Sequence, residues 1–200
     1  EDFERIPKNL DQSTLVTAYT LVRDNDGATQ KEVNDAVVAL KEMKETIFAT
    51  PMSFIDGGVE PHVRAALGFE EDKLITIGDC YALEELDCTY REELGVKIRV
   101  SYDFRYFPNL KKLDLTGNSL EDLNGLANLT SLQYLSLADN PVKVSSLSSD
   151  DSAEEMRSLA VLGTLPIAHL DLSGTSVILT TESLPAMSHL TYLDISGNQL

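Results

Sequence analysis

One phrase is written four times in this chain: LKKLDLTGNSL at Leu110–Leu120, LQYLSLADNPV at Leu132–Val142, IAHLDLSGTSV at Ile167–Val177 and LTYLDISGNQL at Leu190–Leu200. Its fourth position falls at Leu113, Leu135, Leu170 and Leu193, so the spacings are 22, 35 and 23 residues. A unit of this size has no core of its own and buries its leucines only against its neighbours, which makes stacking the source of the fold. Within the phrase, Leu113 and Leu115 are two residues apart and therefore share one face of a short strand. Asn118, Asn140 and Asn198 follow three residues after the second apolar strand position, where the chain must turn. A carboxamide there donates and accepts at once and can satisfy buried backbone groups of its own and adjoining turns. Thr175 takes that place in the third phrase, and a hydroxyl has fewer donors, so this turn is expected to be locally rearranged or partly water-bonded.

Period and phrase together are those of leucine-rich repeats. The expected fold class is α/β: a leucine-rich repeat solenoid with short parallel strands on its concave face, preceded by an N-terminal α-helical segment. Leu83, Leu86 and Cys88 reproduce the first half of the phrase and add a fifth unit. The last phrase reaches Leu200 without the return half of its unit, so the array is expected to be cut short there.

Upstream the period becomes helical. Thr29 to Glu32 reads T-x-x-E, a capping box. Behind it Val33, Ala36, Val37, Leu40, Met43 and Ile47 recur at three- and four-residue steps, predicting a helix of about five turns. Leu15 to Arg23 places Leu15, Ala18, Tyr19 and Val22 on one face, and with the turn at Asp24 to Gly27 the two segments are expected to form an antiparallel helical hairpin. A pair of helices buries little, so it must be covered by Glu1 to Leu10, by the repeat domain, or by a third helix. A short helix over Glu60–Leu67 follows, ended by Gly68 in a left-handed cap and leading into Leu74-Ile75-Thr76-Ile77. The expected organisation is a helical module over 1–52, a helical cap over 53–82 and repeats over 83–200.

The run FIDGGVEPHVRAALGFEEDKLITIGDCYALEELDC, from Phe54 to Cys88, resembles the amino-terminal cap that precedes 22-residue repeats in internalin-like bacterial surface proteins. In that family a small helix closes the first turn and a threonine and aspartate segment, here Thr76 and Asp79, leads into the first unit. The chain departs from the pattern in an enlarged stretch from Tyr90 to Phe107 and an insertion before Ile167. DGATQKEVNDAVVALKEMKETI, from Asp26 to Ile47, resembles the latter part of FIVAR-type helical modules of cell-wall-associated and glycan-directed proteins of Gram-positive bacteria; Pro7 interrupts the place of that module's first helix. Together the resemblances imply a bacterial protein that is extracellular or attached to the cell surface.

Composition narrows the function classes. The chain carries 33 acidic against 16 basic residues, a formal charge of −17, which argues against nucleic acid and anionic membrane faces as partners. No stretch approaches the roughly 18 apolar residues of a membrane span. Cys80 and Cys88 sit where the pattern wants apolar residues and read as buried free thiols. No His/Cys spacing suits a metal, and Asp150 and Asp151 in the Ser-rich insertion cannot supply the oxygens calcium requires. That insertion also holds a capping box at Ser152–Glu155 and a short apolar run through Met156, Leu159, Ala160 and Leu162, read as a solvated loop feeding a short helix. His169 has no Ser or Cys partner at fixed spacing, so neither enzyme chemistry nor a cofactor is expected.

Outward strand positions align in columns. The first holds Glu85, Lys112, Tyr134, His169 and Tyr192, the second Asp87, Asp114, Ser136, Asp171 and Asp194, and the third Thr89, Thr116, Ala138, Ser173 and Ser196. Tyr134, His169 and Tyr192 would stand roughly 5 Å apart per strand step, an aromatic stripe on which a peptide or sugar could lie. The strand-face candidates for ligand binding are Lys112, Asp114, Tyr134, Ser136, His169, Asp171, Tyr192 and Asp194. The function expected is a monomeric, non-catalytic adhesion module for a protein or glycan ligand; the alternative is an intracellular scaffold that recruits an enzyme.

Overall fold

The computed structural model describes residues 27–142, 159–175 and 185–198. The segment Leu15–Arg23 and the serine-rich loop with the capping box Ser152–Glu155 lie outside the described residues. Strands β1 (Glu85–Asp87), β2 (Lys112–Asp114), β3 (Tyr134–Ser136), β4 (His169–Asp171) and β5 (Tyr192–Asp194) form one five-stranded parallel sheet in chain order. The register puts Leu86, Leu113, Leu135, Leu170 and Leu193 in one row, so the five units expected from the phrase are the five strands observed. Leu113, Leu115, Leu135, Leu137, Leu170 and Leu172 are fully buried, each worth about 1.5–3 kcal/mol.

Strands β2 to β5 are short because the chain turns at once through a left-handed residue. Gly117, Asp139, Gly174 and Gly197 have φ of 78°, 55°, 62° and 70° at the same place in successive phrases. The return halves are 3-10 turns, at Tyr102–Tyr106, Asn124–Asn128 and Ala160–Thr164, each packed on the next. This tighter helix lets neighbouring units approach closely. At Gly125 the approach is closest: an added Cβ would lie 1.9 Å from the Ser101 carbonyl oxygen, while the Gly125 N–H donates to Ser101 Oγ at 2.9 Å.

The asparagine positions behave as the phrase predicts. Asn118 Nδ2 donates to the carbonyls of Cys88 and Leu115, each at 2.8 Å, and its Oδ1 accepts from Ile98 N at 2.9 Å. Asn140 repeats this one unit on, donating to Leu115 and Leu137 and accepting from Leu120 N. At Thr175 the pattern changes, as expected. Its hydroxyl reaches the carbonyl of Leu172 in its own turn at 2.8 Å and lies 3.0 Å from Asn198 Oδ1, with no bond back to the preceding unit among the described residues. Val142 N–H, which an asparagine at 175 would have accepted, bonds instead to Asn140 O at 2.9 Å. The hydroxyl is too short to span two units as a carboxamide does, and the link to the next unit comes from Asn198, whose Nδ2 donates to Leu172 O at 2.6 Å.

Helix α1 (Gln30–Phe48) starts at the capping box: Glu32 N–H donates to Thr29 Oγ1 and Thr29 N–H to Glu32 Oε2. Its carboxyl end leans on the repeat domain, one of the arrangements the sequence allowed. Ile47 enters the continuous core, Phe48 packs on Tyr81 with ring centroids 4.8 Å apart, and Pro51 bridges to Thr76. Val37 and Val38, nearer the amino end, stay exposed. Helix α2 (Val59–Leu67) ends at Gly68 in the left-handed conformation, φ 64°, as read from the sequence. Helix α3 (Ile77–Ala82) begins at a second capping box, in which Thr76 accepts from Asp79 N–H and Asp79 accepts from Thr76 N–H.

A buried carboxylate pair fastens the cap to the enlarged stretch. Asp103 accepts from Ile55 N at 3.0 Å and Asp56 N at 2.8 Å, while Asp56 accepts from Gly58, Arg99 and Val100 N–H groups. Burial pushes the Asp103 carboxyl above its usual value, against the two backbone donors that hold it down. Cys80 and Cys88 are free and buried, as expected, and burial pushes the Cys80 thiol up to about 12.

Candidate functional site

The site is built by the strand register. Because β1 to β5 pair without offset, Glu85, Lys112, Tyr134, His169 and Tyr192 fall on one line across the sheet. Tyr134 and His169 stack with ring centroids 4.4 Å apart and planes 17° from parallel. His169 and Tyr192 stack at 4.0 Å and 5°. The Lys112 ammonium lies 5.4 Å from the centre of the Tyr134 ring and continues the line.

These separations are shorter than the spacing of neighbouring strands, about 4.8 Å. Parallel rings at this distance, strung along the interstrand direction, stand on edge above the sheet. Each interior face is covered by the next ring, so Tyr134 and His169 present hydroxyl and imidazole edges rather than flat apolar surfaces. The stripe is therefore polar where it meets solvent, which the sequence did not disclose. Tyr192 is 48% exposed, and Tyr134 and His169 are half-buried. Burial, followed by the carboxylates of Asp114 and Asp171 and by Tyr192, raises the Tyr134 phenol above its usual value and keeps it a neutral donor.

The second column divides into two roles. Asp114, Asp171 and Asp194 each accept on Oδ1 from the backbone N–H two residues on, at Thr116 (3.0 Å), Ser173 (2.8 Å) and Ser196 (2.8 Å), and Asp87 does the same for Thr89 at 2.9 Å. These are Asx turns that end the strand. The signal was present in the sequence as a recurring D-x-T or D-x-S, read there only as a strand face. Backbone and hydroxyl donors of Ser196 hold the Asp194 carboxyl below its usual value. Ser136 serves the same turn in β3, with Ala138 N at 3.4 Å. It is 2% exposed and its hydroxyl lies 2.7 Å from that of Thr116, so it is part of the framework beneath the face.

No group of His, Cys, Asp and Glu able to hold a metal ion occurs among the described residues. No described helix is long and apolar enough to cross a membrane. His62, on α2, is the residue of chemical interest that the sequence reading passed over. It is 4% exposed; burial lowers its pKa, against a hydrogen bond and charge at Asp87 that raise it.

The fold and the phrase define the class: the chain has a leucine-rich repeat fold. The pattern for Leucine Rich repeats (2 copies) matches residues 108–149, and that for a single Leucine Rich repeat matches residues 186–200. Among solved structures, internalin C2 of Listeria monocytogenes has a similar fold, with a TM-score of 0.52 and 23% identity over 76% of this chain and 70% of that one. An internalin (InlF) of the same organism aligns at a TM-score of 0.48 and 20% identity, covering 72% of this chain. This chain spans 44% of that internalin's length. No curated protein sequence matches the chain.

Proposed function

We propose that the chain is a non-catalytic adhesion module of a bacterial surface protein, which presents the line Lys112–Tyr134–His169–Tyr192 to a protein or glycan ligand. The observation that carries this reading is the stacked column itself. Three ring side chains in register on an accessible sheet face, with a lysine continuing the line, hold preorganised contact area at little entropic cost. Generic strand faces do not need the rings to stack, and tyrosine is enriched where proteins meet partners. The surface location rests on the resemblance of the cap to internalin-like proteins and on the shared fold. A signal peptide in the full-length reading frame tests it.

The binding reading is tested on arrays of glycans and host extracellular proteins, probed with the wild type and with a Tyr134→Ala, Tyr192→Ala double variant. Both side chains sit on the open face, so the double variant keeps the leucine core. The expected result is a ligand bound by the wild type and lost by the variant. Equal binding by both would place the contact elsewhere on the molecule.

A further inference from the structure

The chemistry of the partner follows from what the strand face leaves open. Tyr134 has His169 on one face and the Lys112 ammonium beside its ring, and His169 is sandwiched between two tyrosines, so neither offers a free face to a sugar ring. Outward there remain phenol and imidazole edges and, in the adjoining column, carboxylates. Oδ1 of Asp114, Asp171 and Asp194 is held by its own Asx turn, and Oδ2 of Asp114 and of Asp171 has no hydrogen-bond partner among the described residues. Glu85, Asp87, Asp114, Asp171 and Asp194 face Lys112 as the one cation in these two columns.

Within this face Asp114, Asp171 and Asp194 form no ion pair among the described residues. Asp87 is paired with Arg91. Asp171 and Asp194 lie directly opposite each other on neighbouring strands, about 5 Å apart, and neither has a Lys or Arg within ion-pair distance among the described residues. Two carboxylates side by side on adjacent strands offer a planar cation two acceptors at once. Tyr192 precedes Asp194 by two residues on the same face, so an exposed ring adjoins the pair.

We propose that this face docks a basic protein segment, with a partner arginine bridging Asp171 and Asp194 beside the exposed Tyr192 ring. The inference deepens the adhesion reading and rests on it. Arginine suits the place better than lysine because its planar fork bonds two carboxylates at once and packs against an aromatic ring. A sulfated glycan or nucleic acid would meet the same carboxylates with repulsion.

The test uses arrays of arginine-rich, lysine-rich, neutral and acidic synthetic peptides beside neutral and sulfated glycans. Asp171→Asn with Asp194→Asn removes the charges and keeps the Asx acceptors; Glu71→Gln with Asp72→Asn, on the exposed cap turn, makes the same change in net charge away from the face. The wild type is expected to prefer arginine-rich peptides, to weaken with salt, and to lose about tenfold in affinity in the face variant while the cap variant binds as the wild type. Equal losses in the two variants, or a preference for neutral or acidic probes, overturn the proposal. If a glycan is selected and lost only on Tyr134→Ala with Tyr192→Ala, the strand-face reading stands and the basic partner falls. If neither face variant changes binding, both fall.

Discussion

Asn140 gives the fold its most quantitative test. It is 1% exposed, and its carboxamide is the hydrogen-bond partner of two backbone groups in different units, Leu120 N–H and Leu137 C=O. It also donates to the carbonyls of Leu115 and Ala138, but each of those retains another donor, Asn118 Nδ2 and Gly117 N–H respectively. Asn140→Ala therefore orphans two buried groups. At about 1–3 kcal/mol for each, the variant is expected to lose about 4 kcal/mol of stability. Asn140→Thr is a graded control because nature has made that change at Thr175. There the hydroxyl satisfies the carbonyl of its own turn, and the stranded N–H of Val142 turns to Asn140 O. The threonine variant should accordingly rescue Leu137 C=O and lose only about 1–2 kcal/mol. Guanidinium unfolding followed by circular dichroism, with midpoint and slope compared across the three proteins, reads the order. A loss below about 1 kcal/mol in Asn140→Ala, or equal losses in the two variants, would refute the ladder as a source of stability.

Other outcomes follow from particular contacts. Gly125→Ala should destabilise by about 2–3 kcal/mol, seen as a lowered melting temperature, because its Cβ would press on the Ser101 backbone, which cannot swing aside like a side chain. Cys80 and Cys88 should resist a thiol reagent at neutral pH in the folded protein and both react in denaturant, since burial raises both thiols far above their usual value. His62 makes stability depend on pH. Its folded pKa lies below the unfolded value of about 6.5, so its contribution is complete above that pH and is lost as pH falls through the folded value. His62→Gln should flatten the fall in unfolding free energy as pH drops below about 6.5, and an unchanged slope would remove His62 as the cause. Asp103 acts with the opposite sign: its raised pKa makes the folded state hold a proton more tightly, so stability falls as pH rises above the unfolded value of about 3.9.

The sheet was legible in the sequence because the phrase repeats and a two-residue spacing admits one strand register. Leu113, Leu135, Leu170 and Leu193 align as their spacings require. The capping boxes at Thr29 and Thr76 were legible or half-legible because both partners lie within one turn of helix. Asp56 and Asp103 were not, because their partners lie up to 48 residues away and no local period links them. The ring column was predicted as a position, but its edge-on stance depends on side-chain torsions that spacing does not encode. The aspartate column shows the opposite lesson. Its D-x-T and D-x-S signature was local and readable, and the structure gives those residues a structural duty in ending the strand.

The central claim is that a ligand meets the edges of the ring column, and His169 can report on it directly. The chain has three histidines, of which His169 lies within the stack and His62 is buried in the cap. The imidazole proton signals are to be followed by NMR while the ligand selected on the arrays is titrated to saturation. The account predicts a saturable shift of the His169 signal with the His62 signal unmoved. Saturation with His169 unmoved would contradict it.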